Sequence, residues 1–187
     1  MVAYLEQKER TDEALLAATA KADRLLNEIE EMVAMNCTAV DIAYSPNDLY
    51  RLKREGKKAI MLGIENGYAI GKDLSRVAHF RKRGVVYMTL CHNGNNDICG
   101  SARYNEENLG VTPFGEQVIQ EMNRLGMMVD LSHSGERTFY ETLDISSQPV
   151  VCSHSSSRAL CDHPRNLTDD QLRAIARKGG VVQVCLY

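Results

Sequence analysis

The sequence lacks the features that mark membrane-spanning and nucleic-acid-binding proteins. Its 187 residues contain no apolar stretch near the ~20 residues that a membrane helix needs. The 25 acidic and 22 basic residues are dispersed without a block of like charge, and the formal net charge is only −3. We therefore expect no membrane span in this chain and no nucleic acid among its partners.

The six cysteines contain no CxxC pair. They could form a disulfide framework, but they lie far apart and several fall within apolar runs, so buried free thiols are the preferred interpretation. The N-terminal residues Met1 to Glu6 include no basic segment followed by a long apolar one, so no signal peptide is expected. The chain as given is expected to be soluble, and its cellular location is unknown.

Signatures of two common enzyme classes are also missing. A serine hydrolase of the α/β type would need a Gly-x-Ser-x-Gly elbow, and the sequence has none. No Gly-x-Gly-x-x-Gly or Walker-type loop indicates a nucleotide phosphate site.

The chain alternates between helical and strand-like segments. Helical periodicity runs from Thr11, a plausible N-cap, to about Met35, and a short helix ends near Gly56. Five continuously apolar runs follow: Ala59–Ile64, Val85–Leu90, Met127–Leu131, Val150–Cys152 and Gly180–Leu186. Helical stretches separate them at 73–83, 113–125, 134–143 and 169–178, the last opened by a capping box of Thr168 and Gln171.

This pattern predicts an α/β fold with a parallel sheet. Continuously apolar strands are typical of a sheet that is buried on both faces, as in a doubly wound sheet or a (β/α)8 barrel. With 44% hydrophobic and 25% charged residues, the chain has the composition of one globular domain. We expect a helical N-terminal part over 1–57 and β/α units over 58–187.

The residues with the most informative chemistry follow the strand-like runs. The first four runs are followed or ended by Glu65, His92, His133 and His154, which include three of the five histidines in the chain. The carboxyl ends of parallel strands share one face, where ligands bind, so these side chains should converge. A lone histidine after a strand is usually a loop residue, but three at equivalent positions favour metal ligands. Nitrogen and carboxylate oxygen donors suit zinc.

Three other polar residues, His79, His163 and Asp130, are not assigned as ligands. His79 falls in the middle of a helical stretch and is interpreted as a surface or packing residue, and His163 is interpreted as a loop residue. Asp130 is unusual within an apolar run. It could orient a ligand histidine, but a purely structural hydrogen bond is an equal alternative.

Five short motifs carry a resemblance to a known family. They are Gly63-Ile-Glu65-Asn-Gly, Tyr87-Met-Thr-Leu-Cys-His92, Val129-Asp-Leu-Ser-His133, Ser153-His154-Ser-Ser and Arg165-Asn166. In this order they resemble successive motifs of the renal (membrane) dipeptidases, which are binuclear zinc enzymes that cleave dipeptides on a (β/α)8 barrel. The resemblance runs from about residue 58 to residue 187.

The resemblance implies a role for each matching residue. Glu65 would bridge the two zinc ions, and His133 and His154 would be ligands of one of them. His92 would contact the dipeptide substrate and stabilise charge on its carbonyl oxygen. Arg165 would hold the terminal carboxylate of the substrate, with a surface salt bridge as the alternative role.

Two parts of the family pattern are not found. No His-x-Asp, the ligand pair of the other zinc, occurs in the sequence, and an aspartate from a later strand is not reached. The runs correspond to about strands three to seven of the eight in the barrel. We therefore expect about one zinc ion, little activity of the chain alone, and two open sheet edges, one beside the Glu65 strand and one at Val181–Leu186. The open edges favour self-association or pairing with the missing segments. The alternatives are a non-catalytic relative, which binds one metal or acts through assembly, and a mononuclear hydrolase of another substrate.

Overall fold

One parallel sheet covered by helices forms the frame of the protein. The computed structural model describes residues 1–6 and 9–185. The strands are β1 (Val2–Tyr4), β2 (Val40–Ile42), β3 (Lys58–Ile60), β4 (Leu62–Glu65), β5 (Val85–Thr89), β6 (Met128–Asp130), β7 (Val151–Ser155) and β8 (Val181–Val184). The α-helices are α1 (Asp12–Met35), α2 (Pro46–Arg54), α3 (Ser75–Lys82), α4 (Pro113–Leu125), α5 (Glu136–Ile145) and α6 (Asp169–Arg177).

The main sheet has six strands in the order β1-β4-β5-β6-β7-β8, and each neighbouring pair is parallel. Strands β2 and β3 form a separate parallel pair. The predicted run from Ala59 to Ile64 is therefore divided at Met61, with its first part in the small sheet and its second part in the main one. The parallel α/β sheet that the sequence pattern predicted is confirmed, and its consecutive strand order is that of part of a (β/α)8 barrel, as the resemblance implied.

The helices begin where short polar side chains can accept hydrogen bonds from the first turn. Thr11 accepts from the backbone nitrogen of Ala14 at 3.2 Å, and Thr168 forms the predicted capping box with Gln171. The expected helix at Ser134 starts later, at Glu136, after Gly135 as its N-cap. These local signals agree with the structure to within one or two residues.

An additional strand corrects the expectation of an open edge beside the Glu65 strand. Strand β1 pairs in parallel with β4, with Val2 opposite Gly63 and Tyr4 opposite Glu65. The sheet therefore starts one strand earlier than the five predicted runs, and its open edges in the described residues are β1 and β8. Besides the predicted helices, the first 57 residues also contain the three-residue strands β1 and β2. Neither strand belongs to one of the five predicted apolar runs, and periodicity cannot identify segments this short.

All six cysteines are free thiols, as the sequence favoured. Only Cys91, Cys99 and Cys152 are buried, whereas Cys37 and Cys161 are exposed. In the part of the chain that the structure describes, no helix combines the length and the apolarity that crossing a membrane requires.

The β8 edge generates the first prediction. Val181 and Val184 are 56% and 80% exposed on a strand that pairs only with β7 among the described residues, and Leu186 of the predicted edge lies outside them. An exposed apolar edge is a template for another chain. We expect self-association at micromolar concentration and a shift toward monomer in Val181→Lys/Val184→Lys, measured by sedimentation velocity.

Leu160→Lys is the matched control, because Leu160 is 87% exposed and belongs to the loop between β7 and α6 rather than to a strand. A wild-type chain that sediments as a monomer, or an equal effect of the control, would contradict a role for the β8 edge.

Candidate metal centre

Four predicted residues meet at the carboxyl end of the sheet. Glu65 is the last residue of β4, His92 and His133 each lie three residues beyond β5 and β6, and His154 lies within β7. Because β4 to β7 are consecutive parallel neighbours, their carboxyl ends lie side by side. The structure thus brings together the residues that the sequence pattern placed at equivalent strand ends.

The distances define a compact group of three donors. Glu65 Oε1 lies 3.0 Å from His154 Nε2 and 3.3 Å from His133 Nε2, and the two Nε2 atoms are 2.9 Å apart. The candidate ligand atoms of these three residues all lie within 4.8 Å of one another. His92 Nε2 is farther away, 3.8 Å from Glu65 Oε1. Two imidazole nitrogens and a carboxylate oxygen converging in this way fit a metal cation.

The electrostatics of the cluster favour the protonation states that metal ligands need. Burial alone would raise the pKa of Glu65, but hydrogen bonds with His133 and His154 hold it well below its usual value. Burial lowers the pKa of His133 to about 4. Burial also lowers the pKa of His92, and the charge of Glu65 only partly opposes this effect. At neutral pH, Glu65 is ionised and these two imidazoles are neutral.

Two residues of the site have backbone conformations that are unusual for non-glycine residues. Asn66 directly follows Glu65 and has φ 87°, and the ligand candidate His133 has φ 73°. Such conformations cost roughly 1–3 kcal/mol each unless local hydrogen bonds compensate. Asn66 Oδ1 accepts from the backbone nitrogen of Tyr68, and the carbonyl of His133 accepts from the backbone nitrogen of Ala102 at 2.7 Å. The surrounding loops therefore hold the turns that aim Glu65 and His133 at each other.

Arg165 is buried beside this cluster. Only 7% of its surface is exposed, and its Nη2 donates to the backbone carbonyl of His154 at 3.3 Å. This burial excludes the alternative of a surface salt bridge. Its positive charge also contributes to the lowered pKa values of His92 and His133.

Tyr4 is a residue of the site that sequence reasoning missed. Its ring lies 4.8 Å from that of His92 in an edge-to-face arrangement, and the His92 ring is 4.0 Å from that of His133. Tyr4 is opposite Glu65 in the β1–β4 register and is 39% exposed. The only sequence signal is the short apolar segment around it, which periodicity cannot identify as a strand.

The other two histidines lie outside the cluster. His79 is exposed, and its Nε2 is 2.8 Å from Asp23 Oδ1, in agreement with a surface role. His163 Nδ1 accepts from the backbone nitrogen of Arg165 at 3.2 Å.

The buried, neutral His133 predicts a loss of stability in acid. Because its pKa is about 4 in the folded chain and 6.5 ordinarily, the unfolded chain binds the extra proton between these values. Its contribution is present above pH 6.5 and is lost as the pH falls toward 4. Glu65, whose folded pKa is lowered, adds a loss only below about pH 4.5.

Urea denaturation with a chelator present should therefore show that wild type loses about 2 kcal/mol more than His133→Asn between pH 7 and pH 5. Asparagine is chosen because it tolerates positive φ. His79→Gln is the control and should follow wild type. Equal losses in wild type and His133→Asn would contradict the prediction.

The chain is similar to known dipeptidases along its whole length. Residues 1–187 match the family model described as membrane dipeptidase (peptidase family M19). Over 138 residues the chain is 42% identical to an uncharacterized dipeptidase of Schizosaccharomyces pombe, covering 72% of this chain and 33% of that protein. Over 170 residues it is 35% identical to dipeptidase 3 of Mus musculus, covering 88% of this chain and 34% of that protein.

Solved structures give the same result for the fold. The probable dipeptidase PvdM from Pseudomonas aeruginosa superposes with a TM-score of 0.87 at 34% identity, covering 93% of this chain and 45% of that chain. The chain spans about a third of the length of the curated relatives it matches. It therefore belongs to the membrane dipeptidase family, peptidase family M19, and forms part of that family's (β/α)8 barrel.

Proposed function

We propose that the protein containing this chain hydrolyses dipeptides, and that Glu65, His133 and His154 hold a zinc ion for the reaction. The observation that supports this proposal most is the convergence of their three donor atoms within 4.8 Å. Two nitrogens and one carboxylate oxygen are an ordinary ligand set for catalytic zinc, with water as the fourth ligand. The similar dipeptidases support dipeptides as the substrate class.

A bound zinc ion supplies Lewis acidity at the peptide carbonyl and lowers the pKa of water. Glu65, in the middle of the cluster, contributes the negative charge that holds the cation. His92 stands beside the proposed ligands with its pKa lowered by burial, so it is neutral and retains one N–H donor. We assign this N–H to the carbonyl oxygen of the substrate, which gains negative charge as the carbon becomes tetrahedral.

We assign Arg165 to the terminal carboxylate of the dipeptide. A guanidinium has five N–H donors in a planar fork that matches a carboxylate, and one of them already donates to the His154 carbonyl. That contact holds the guanidinium beside the proposed ligands. Burial strengthens its interaction with an anionic group, because little water competes for either partner.

A metal-binding chain without catalysis is the second candidate. The observation that favours it is the absence of His-x-Asp from these 187 residues, since the resemblance assigns that pair to the second zinc. Glu65 would then be the only ligand left for a second ion. Stoichiometry and turnover of the chain separate the two candidates.

Metal analysis after dialysis against zinc should find about one tightly held zinc ion per chain, because the three donors complete one tetrahedral site with water. His133→Ala should lose this ion. His79→Ala is the control, because His79 is exposed and paired with Asp23, and it should keep the ion. Two tightly held ions in the wild-type chain would contradict the one-site prediction.

The zinc-loaded chain should bind a dipeptide more tightly than the matching dipeptide amide, which lacks the terminal carboxylate. The affinity of the wild-type chain, measured by calorimetry, should be about tenfold or more higher for the dipeptide than for the amide, as expected for a charge-assisted hydrogen bond of ~1.5–3 kcal/mol. Arg165→Gln should remove most of this difference. An unchanged preference in this variant would reject the assignment of Arg165.

Hydrolysis of dipeptides by residues 1–187 alone should be negligible with zinc present. In a two-metal site, both ions must be held in place to stabilise the attacking and the leaving group of the reaction. Product release measured by chromatography tests this expectation. Robust turnover that disappears in His133→Ala would show that the single site suffices for catalysis.

A further inference from the structure

Asp130 is a buried carboxylate with an unusually complete set of hydrogen bonds. Its Oδ1 accepts from the backbone nitrogens of Ser132 at 3.0 Å and Ser153 at 2.9 Å. Its Oδ2 accepts from Thr89 Oγ1 at 2.7 Å and Ser153 Oγ at 2.5 Å. Four donors fill the acceptor positions of a carboxylate and leave no place for a proton of its own. This arrangement explains how a charged residue is tolerated in an apolar strand.

The contact with Ser153 extends to the cluster at the strand ends. Ser153 Oγ also lies 2.8 Å from His154 Nδ1. A hydroxyl has a single proton, and in Ser153 this proton is directed to Asp130. Its oxygen can therefore only accept from His154, so Nδ1 carries a hydrogen. Nε2, the other ring nitrogen, faces Glu65 at 3.0 Å and His133 at 2.9 Å, and it is the atom that a metal ion at the cluster would meet.

The backbone of His154 is held from the same side. Its nitrogen donates to Ser132 Oγ at 2.9 Å, and Ser132 lies two residues beyond the end of β6. The ring and the main chain of His154 are thus both tied to the end of the neighbouring strand. Asp130 and Ser132 together leave the imidazole little freedom to turn Nε2 away from the other two donors.

We propose that Asp130 is a positioning residue that acts through Ser153 to keep a hydrogen on Nδ1 of His154, so that Nε2 is the ring nitrogen left to bind a metal ion. The proposal deepens the metal site of the proposed function and rests on it. It gives the buried carboxylate a role beyond joining β5, β6 and β7. The purely structural alternative assigns the hydrogen bonds from Thr89 and Ser153 equal importance, since each supplies one hydroxyl to Oδ2.

Two single substitutions separate these roles. Ser153→Ala and Thr89→Val each remove one hydroxyl donor from Asp130 Oδ2, but only Ser153 contacts His154. In competition with a chromophoric chelator, zinc affinity should fall roughly 10–100-fold in Ser153→Ala, as is usual for loss of a group that orients a ligand. Thr89→Val is the matched control and should stay close to wild type. Equal losses in the two variants would overturn the proposal.

The hydrogen on His154 Nδ1 is itself measurable in the metal-free chain. ¹⁵N NMR of the His154 side chain should show a protonated Nδ1 in wild type. In Asp130→Asn, an amide that donates to Ser153 Oγ frees the serine proton for Nδ1, so Nδ1 should lose its own hydrogen and zinc affinity should fall. The result for wild type does not depend on whether any variant folds.

The outcomes also separate this proposal from the proposed function. A wild-type chain with a hydrogen on His154 Nδ1 that binds no zinc would contradict the metal site but support the role of Asp130. A wild-type chain that binds zinc but has no hydrogen on His154 Nδ1 in its metal-free form would reject the role of Asp130 and leave the metal site standing.

Discussion

Parallel pairing of β4, β5, β6 and β7 is the constraint on which the rest of the site depends. The register places Glu65 opposite Thr89, and Thr89 opposite Asp130, so that polar groups from three strands reach the same level of the sheet. The turns that follow β5 and β6 then bring His92 and His133 over this level. Backbone hydrogen bonds between apolar strands thus determine the positions of the donor atoms.

The same geometry shields the charged side chains of the site from water, which would otherwise screen their interactions. Burial keeps His133 neutral, while its contacts with the carboxylate keep Glu65 ionised. Arg165 adds a buried positive charge, and Asp130 adds a buried, hydrogen-bonded carboxylate. An ionised carboxylate beside a neutral imidazole suits a divalent cation. The positive φ angles of Asn66 and His133 add to the free-energy cost of this arrangement.

The position of the cluster in the sheet decides whether the site needs a closed barrel. The cluster lies at the ends of β4 to β7, the four inner strands of the six-stranded sheet, with β1 and β8 on either side. The donor group can therefore form without closure of a barrel. In contrast, β8 pairs only with β7 among the residues that the structure describes, so its other edge offers backbone groups for pairing.

Local properties of the sequence determined much of this protein. Apolar runs and capping residues predicted five strands of the main sheet and most helices, and the strand-end positions of Glu65, His92, His133 and His154 predicted that they meet. Strand β1, the contact of Tyr4 with His92, the burial of Arg165 and the path from Asp130 to His154 were decided only by the tertiary structure. Each of these depends on pairing or packing between segments that are distant in sequence, whereas periodicity and caps report only on neighbouring residues.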